Sequence, residues 1–351
     1  MAHVPHIRYW LVGLGMAALL AGCSTPPAPP PPAPPPPPAP PPIALNSTVL
    51  QDAAGYQTYM RRAANISDDF HSGEDVAQSL KIGASYDSVQ LLQGAIAYGA
   101  VVALQDPTFV GSLRKFAVDP DGRQQMARTI LNDPNYATAI AGADSAAGLV
   151  ESALIAVAQP VVTKSAGIKQ AAYDIQHQAW SKEFVSNRDE RLLAAKTSSP
   201  DFMRASSDDV QRMGDAATGA SPLSITGEAA KAPYPPVVVH ALAVAALAAL
   251  GQAGDENAPL IVSMLGDAGS QKCLDMAKLN LYQCLAVAKP HYEDVFCLGQ
   301  HALADTGECM EYAAGVPEPV TTPIAISSTE VAYGAKAPPA HAKKKKKSDG
   351  A

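Results

Sequence analysis

Aromatic side chains are scarce in this 351-residue chain, at 6% of its residues, with only 2 Trp, one of them at position 10. A core made from such a sequence cannot lean on ring packing and must be assembled from small and aliphatic side chains. Catalytic signatures are missing too. There is no Gly-x-Ser-x-Gly, no His-Glu-x-x-His and no phosphate-binding glycine loop, which excludes the enzyme classes read from those patterns. No cofactor motif is present, and none of the segments reads as a strand. Positive charge is in deficit through the body: between residues 43 and 335, 19 Lys and Arg face 32 Asp and Glu, a net charge of −13. So acidic a body argues against nucleic acid as its partner. Cysteine is limited to 5 positions.

What is present begins at the N-terminus. A short polar stretch carrying Arg8 precedes an apolar run from Tyr9 to Leu20. That run is too short for a hydrocarbon core of roughly 30 Å but suits the apolar region of a secretory signal. It ends in Leu20-Ala21-Gly22-Cys23. These four residues resemble in full the lipobox of bacterial lipoproteins. The resemblance implies that residues 1–22 are removed and that Cys23 becomes a lipidated first residue carrying several acyl chains. Each buried CH₂ contributes about 0.8 kcal/mol and one chain alone binds marginally, so several together anchor stably. Ser24, in place of an aspartate, implies delivery to the outer membrane, with the body in the periplasm. Residues 26–42 are Pro and Ala only. Proline fixes φ and lacks an N–H, so this run predicts polyproline II and a spacer of roughly 50 Å.

The body reads as all-α, with a helical lobe over 43–200, a connecting segment over 201–236 and a second lobe over 237–316. The first helix runs from about Ser47, its expected N-cap, to Asn65. Asp106-Pro107, Asp119-Pro120 and Asp133-Pro134 each place a strong N-cap before a proline suited to the first helical turn, predicting three short helices with tight corners. Pro160 reads as the start of a long helix reaching about Lys196, with charges on its later part. A weak helix is expected near Asp208–Met213. Val237–Leu250, at fourteen residues, reads as a buried core helix rather than a membrane span, and His240 within it as a core histidine.

Cys273, Cys284, Cys297 and Cys309 lie in two segments that look helical, on either side of Lys289-Pro290. In an antiparallel pair, facing positions share a constant sum of residue numbers. Cys284 with Cys297 gives 581 and Cys273 with Cys309 gives 582, which favours nested bridges, Cys273–Cys309 and Cys284–Cys297, in a stapled helical hairpin. In layout this is similar to the twin-cysteine hairpins of mitochondrial intermembrane-space proteins, with different spacings. Gaps of ten or more residues do not provide the short ligand pairs of a zinc site, and Cys-x-x-Cys is absent.

Other chemistry-bearing residues have plainer readings. Asp68, Asp69, His71, Glu74 and Asp75 could be a metal cluster, but a loop and a helix start capped by Ser72 account for them, and no metal is expected. Ser112 and Lys115 satisfy the serine–lysine pattern of penicillin-binding proteins. Ser186-Asn187 and Lys196-Thr197 follow in order but are incomplete and too close together, so no catalytic residue is assigned. His177 with Trp180 reads as a core edge. Tyr282, His291, Glu293, Asp294 and His301 form either a binding edge near the hairpin or a solvated helix end. The segment 317–351 reads as a disordered tail bearing Lys343, Lys344, Lys345, Lys346 and Lys347. The run reads either as a contact for an anionic surface such as peptidoglycan, lipopolysaccharide phosphates or headgroups, at about 1 kcal/mol per lysine, or as a solubilising end with no partner.

Overall fold

The computed structural model describes residues 39–197 and 204–317. Cys23, most of the Pro/Ala run and Lys343–Lys347 lie outside the described residues. The described residues from Pro40 to Pro317 form one compact unit, all-α, with 14 α-helices and no strand among them.

Two helices need the most protection from water. α3 (Ser88–Ala103) and α10 (Pro236–Ala249) are apolar around nearly their whole circumference, and both are buried on almost every face. They pack against each other, and α1 (Ser47–Ala64) and α6 (Ala143–Ile175) pack on α3. Small residues set how closely these helices approach. A Cβ on Gly94 of α3 would stand 2.6 Å from the Asp52 carbonyl oxygen of α1 and 2.7 Å from the Tyr56 Cβ. Around this centre lie α2 (Gly73–Gly83), α4 (Pro107–Phe116), α5 (Pro120–Asn132), a 3₁₀ turn (Pro134–Ala139) and the short α7 (Ala179–Lys182). α8 (Arg188–Thr197), α9 (Ser207–Thr218) and α11 (Ala258–Val262) follow, then the hairpin limbs α12 (Ala268–Val287), α13 (His291–Cys297) and α14 (Asp305–Ala313).

Local chemistry explains most boundaries. Asp106 and Asp119 accept hydrogen bonds from the first turns of α4 and α5, with proline just inside each helix. The third Asp-Pro pair opens the 3₁₀ turn instead of an α-helix. Asn46, not Ser47, caps α1: its Oδ1 accepts from the Val49 N–H at 3.0 Å, while Ser47 bonds to Asp255. Pro160 does not open a helix. It sits inside α6, which runs 33 residues, because buried Val150, Ala153, Leu154 and Ala158 before it and Val161, Ser165 and Ile168 after it dock as one stripe. The exposed ring leaves solvent to meet the carbonyl that loses its partner. The expected continuation to Lys196 is broken at Ile175. α6 is long and apolar enough to cross a membrane by length and composition, but here it packs against α1, α3, α13 and α14. The weak helix expected at 208–213 is the full α9, docked on α1 and α3. Although the sequence suggested two lobes, the hydrophobic core runs through both segments without a break.

The N-terminal end of the described chain is tied down. The Pro41 carbonyl accepts a hydrogen bond from Arg114, the Pro41 ring packs at Gly251, and Asn46 donates to the Ala253 carbonyl at 3.3 Å. Residues 41–47 thus lie along the link between α10 and α11.

Two predictions follow from this packing. Gly94→Ala should lower stability by about 1 kcal/mol or more, because the clash outweighs the roughly 1 kcal/mol gained in helix propensity. Gly111, with open space around it, should gain about 0.5–1 kcal/mol as Ala; urea unfolding of both variants checks the pair. The second concerns Asp52, whose carboxyl burial pushes up from 3.8 to about 6. Its protonated form therefore favours the folded state below about pH 4, and that contribution is lost as pH rises through about 6. Asp52→Asn should gain about 1–2 kcal/mol over wild type on going from about pH 4 to 7, after allowance for partial exposure. An unchanged difference between the two proteins would show that this carboxylate is well solvated.

Candidate functional site

The C-terminal hairpin gathers the groups that sequence reading left unassigned. Asp267 caps α12 by accepting from the Ser270 N–H at 2.7 Å, and the chain turns at Lys289-Pro290. Glu293 accepts from the Lys289 N–H at 2.7 Å and fixes that turn. The limbs are joined by Cys273–Cys309 and Cys284–Cys297, each with Cα atoms 5.7 Å apart. The pairing is the nested one.

The returning limb is not uniform. Between α13 and α14, Leu298–Ala304 forms a π-helical stretch, a form that is rare and often marks functional places. It brings several polar side chains to one carboxylate. Asp305 accepts from Asn280 at 3.2 Å and Gln300 at 3.0 Å, and pairs with His301 Nδ1 at 2.8 Å. Burial works against this carboxylate, but the hydrogen bonds from His301, Gln300 and Asn280 outweigh it and hold its pKa below the ordinary value. Lys169 of α6 donates to Gln300 at 3.1 Å and extends the network. Beneath it, the buried hydroxyls of Tyr86 and Thr306 meet at 2.9 Å. Lys278 lies 4.5 Å from the Tyr86 ring centroid and donates to the Tyr86 carbonyl.

Beside this network, α12, α14 and one edge of α6 enclose a groove of about 720 Å³. Val162, Ala277 and the Cys273–Cys309 bridge line it, and the half-exposed Met276 and Tyr312 contribute apolar surface. Asp305, Glu308 and Glu311 supply an acidic side, with Lys272 among the other lining residues. Burial raises the pKa of Glu308 and Glu311, and Asp305 adds repulsion at Glu308. A smaller apolar cleft of about 380 Å³ adjoins Cys284–Cys297, walled by Tyr173, Val287, Tyr292 and Phe296.

The residues read as either a binding edge or a solvated helix end are divided among separate contacts. His301 belongs to the Asp305 network. Asp294 is buried and paired with Arg191 at 2.5 Å, burial holding its carboxyl up at about 6 against the pull of Arg191. His291 lies against Gly73 and 6.2 Å from Trp180, and burial lowers its pKa. Tyr282 lies under Lys196, 5.8 Å from its Nζ. His177 is exposed, whereas Trp180 is partly covered. His240 was expected as a satisfied core histidine, but its Nδ1 is buried in α10 and has no hydrogen-bond partner among the described residues. In the loop before α2, His71 meets Asp69 at 3.1 Å in full solvent, and Asp75 accepts from the His71 N–H, as the plainer reading of this stretch expects. Ser72 caps α2, and among the described residues no group of three His, Cys, Asp or Glu is arranged for a metal. Ser112 and Lys115 line a cleft with Phe116, Met126 and Tyr136, on an α4 that packs against α10 and α6. Lys196 and Thr197 lie on α8, which packs on α12 and α2.

Sequence reading missed two devices. One is the Asp305 hub, whose partners at 280, 300 and 301 have no shared spacing without the π-helical stretch. The other is the end of α12: Arg188 donates to the Ala286 and Ala288 carbonyls at 2.9 Å, and Arg191 donates to the Leu285 carbonyl. These two arginines, one turn apart on α8, satisfy carbonyls that the end of α12 leaves open.

The chain matches no known protein family, no curated protein and no solved structure.

The bridges close loops of different length, with sequence separations of 36 and 13. On loop entropy alone, Cys273→Ser with Cys309→Ser should cost about 4 kcal/mol, and Cys284→Ser with Cys297→Ser about 3 kcal/mol. Chemical unfolding of the two double variants measures the order, and a reversed order would show that loop closure does not control it.

Proposed function

We propose that this is a lipid-anchored envelope protein with a structural or tethering role, held at the outer membrane through Cys23 with its helical body in the periplasm. The observation that carries this reading is Leu20-Ala21-Gly22-Cys23 followed, after Ser24 and Thr25, by a spacer of Pro and Ala. The other four of the five cysteines pair with one another. That usage suits an oxidising compartment and leaves Cys23 as the one cysteine without a disulfide role. The bonds at Pro41, Asn46 and Ser47 also suit a tether. Tension along the spacer would be delivered to Arg114 and to the α10–α11 link, not to the free end of α1. At the other end, Lys343 to Lys347 offer a contact for peptidoglycan or another anionic envelope surface.

A second reading is an accessory subunit of an envelope complex, and the exposed apolar surface of Met276 and Tyr312 in the groove favours it. In this reading a protein partner binds the body and the lysines are incidental. No reaction is assigned to the body.

Cell fractionation and co-sedimentation test these readings. Cys23→Ser should move the protein from the membrane to the soluble fraction, and mass spectrometry of the wild-type N-terminal peptide should show an acylated Cys23. Binding of residues 24–351 to isolated cell-wall sacculi should weaken with salt and with removal of Lys343–Lys347. A soluble, unacylated wild-type protein would overturn the anchored reading. Binding to sacculi that ignores both salt and the lysines would overturn the electrostatic tether.

A further inference from the structure

Away from the hairpin, α1, α6 and α9 border a cleft of about 440 Å³. Buried Met60, partly buried Ala64 and Val157, and the Pro160 ring give it an apolar lining. Its charged lining residues are Arg61, from the last turn of α1, and Arg212 of α9, brought together because α9 docks on α1. In this body such a lining stands out. Acids outnumber bases between residues 43 and 335 to a net charge of −13, yet no carboxylate is among the described residues lining the cleft. Asp209 joins the two guanidinium groups from behind the lining. Its Oδ2 accepts from Arg61 at 3.4 Å and its Oδ1 from Arg212 at 3.2 Å. Ser206 fixes this carboxylate, donating to Oδ2 at 2.9 Å and accepting from the Asp209 N–H at 3.1 Å. Burial works against the Asp209 charge, but Ser206, Arg61 and Arg212 hold its pKa below the ordinary value.

One carboxylate thus faces two cations, and the positive charge is only half answered. Both contacts are longer than the roughly 2.7–2.9 Å of a tight charge-assisted bond. Arg212 also donates to Gln57 at 3.1 Å, and the two arginine side chains stay 50% and 47% exposed. A guanidinium presents a fork of N–H donors that matches the paired oxygens of a carboxylate or phosphate, so each fork keeps donors to spare. From this geometry we infer that the cleft binds a soluble organic anion, its carboxylate or phosphate head held by Arg61 and Arg212 and its apolar body laid against Met60, Ala64, Val157 and Pro160. Asp209 holds the two forks side by side, and the ligand head supplies the second negative charge. The size suits such a ligand, since small-molecule pockets run from about 300 to 1,000 Å³. A neighbouring cleft that shares Ala156 and Pro160 extends the space along α6 toward Lys164, which pairs with Asp68 at 3.5 Å. Exposed arginines alone hold an anion weakly because water screens them, so apolar burial has to supply the remainder. The inference stands whether or not Cys23 is lipidated.

Titration calorimetry on residues 24–351 tests it, with hexyl phosphate and hexanoate as probes and inorganic phosphate and hexanol as controls. At least one of the two amphiphilic anions should saturate a single site, and the head that binds tighter names the ligand class. That anion should bind about tenfold or more tighter than inorganic phosphate, which lacks the body, and than hexanol, which lacks the charge. Arg61→Gln and Arg212→Gln should each weaken it about tenfold, the loss expected for a hydrogen bond to a charged group. Arg128→Gln removes the same charge from exposed α5, which packs on α10 and the 3₁₀ turn, and should leave binding unchanged. Ala156→Phe, at an exposed lining position, should fill the cleft and reduce the anion to the affinity of inorganic phosphate. Thermal unfolding followed by circular dichroism checks that each variant is folded. No saturable binding of either anion would overturn the site, as would an equal loss in Arg128→Gln. Affinity no better than that of inorganic phosphate would overturn it too, because the apolar lining would then play no part.

Discussion

Everything in this fold answers to two helices that cannot face water. α3 and α10 are apolar on nearly all sides, so neither can lie at a surface, and each must be enclosed by other elements. Their small side chains keep the enclosure tight. Gly94 lets the α1 backbone come within contact of α3, and the alanine runs of α10 expose little bulk to separate its neighbours. Helices that are individually weak, such as α4, α5 and α9, hold their shape through Asp or Ser caps and through docking on this centre. The same centre explains why α6 runs unbroken through Pro160: the stripe it buries outweighs the local preference for a break.

The hairpin has a different logic. α12 mixes exposed Met276 and Leu279 with a narrow buried face of Leu274, Ala277, Leu281 and Leu285. Covalent bridges and arginine capping take over where apolar burial is thin. Cys284–Cys297 and the carbonyl bonds from Arg188 and Arg191 secure the turn end, and Cys273–Cys309 secures the open end. Between them, the π-helical stretch aims Gln300 and His301 at Asp305 and ties the hairpin to α6 through Lys169. Polar connectivity there fixes the register of the two limbs and shapes one wall of the groove.

The proposed anchor and the groove lie at opposite ends of the sequence, and the body between them is rigidly cross-tied. Residues 41–47 are bonded to the α10–α11 link, and α10 packs on α3, which also contacts α12. A load arriving through the Pro/Ala spacer would therefore meet a packed core before it met the hairpin.

By itself, the sequence determined the helical class, the Asp-Pro corners at 106 and 119, the buried nature of Val237–Leu250 and the hairpin arithmetic of the four cysteines. These are short-range properties: caps act within one turn, hydrophobicity is a property of the segment, and antiparallel register is a sum of numbers. It also carries Leu20-Ala21-Gly22-Cys23, which resembles a lipobox, and the lysine run, both patterns of chemistry independent of any fold. Only the tertiary structure decided that Pro160 lies inside a helix, that Asn46 takes the cap from Ser47, and that the expected polar edge divides between the Arg191–Asp294 pair and the Asp305 hub. Each of those outcomes depends on partners far away in the chain: Asp255 for Ser47, the core stripe for Pro160, and α8 and α6 for the hairpin carboxylates. The groove was likewise invisible in the sequence, because its walls come from three helices that are far apart in the chain.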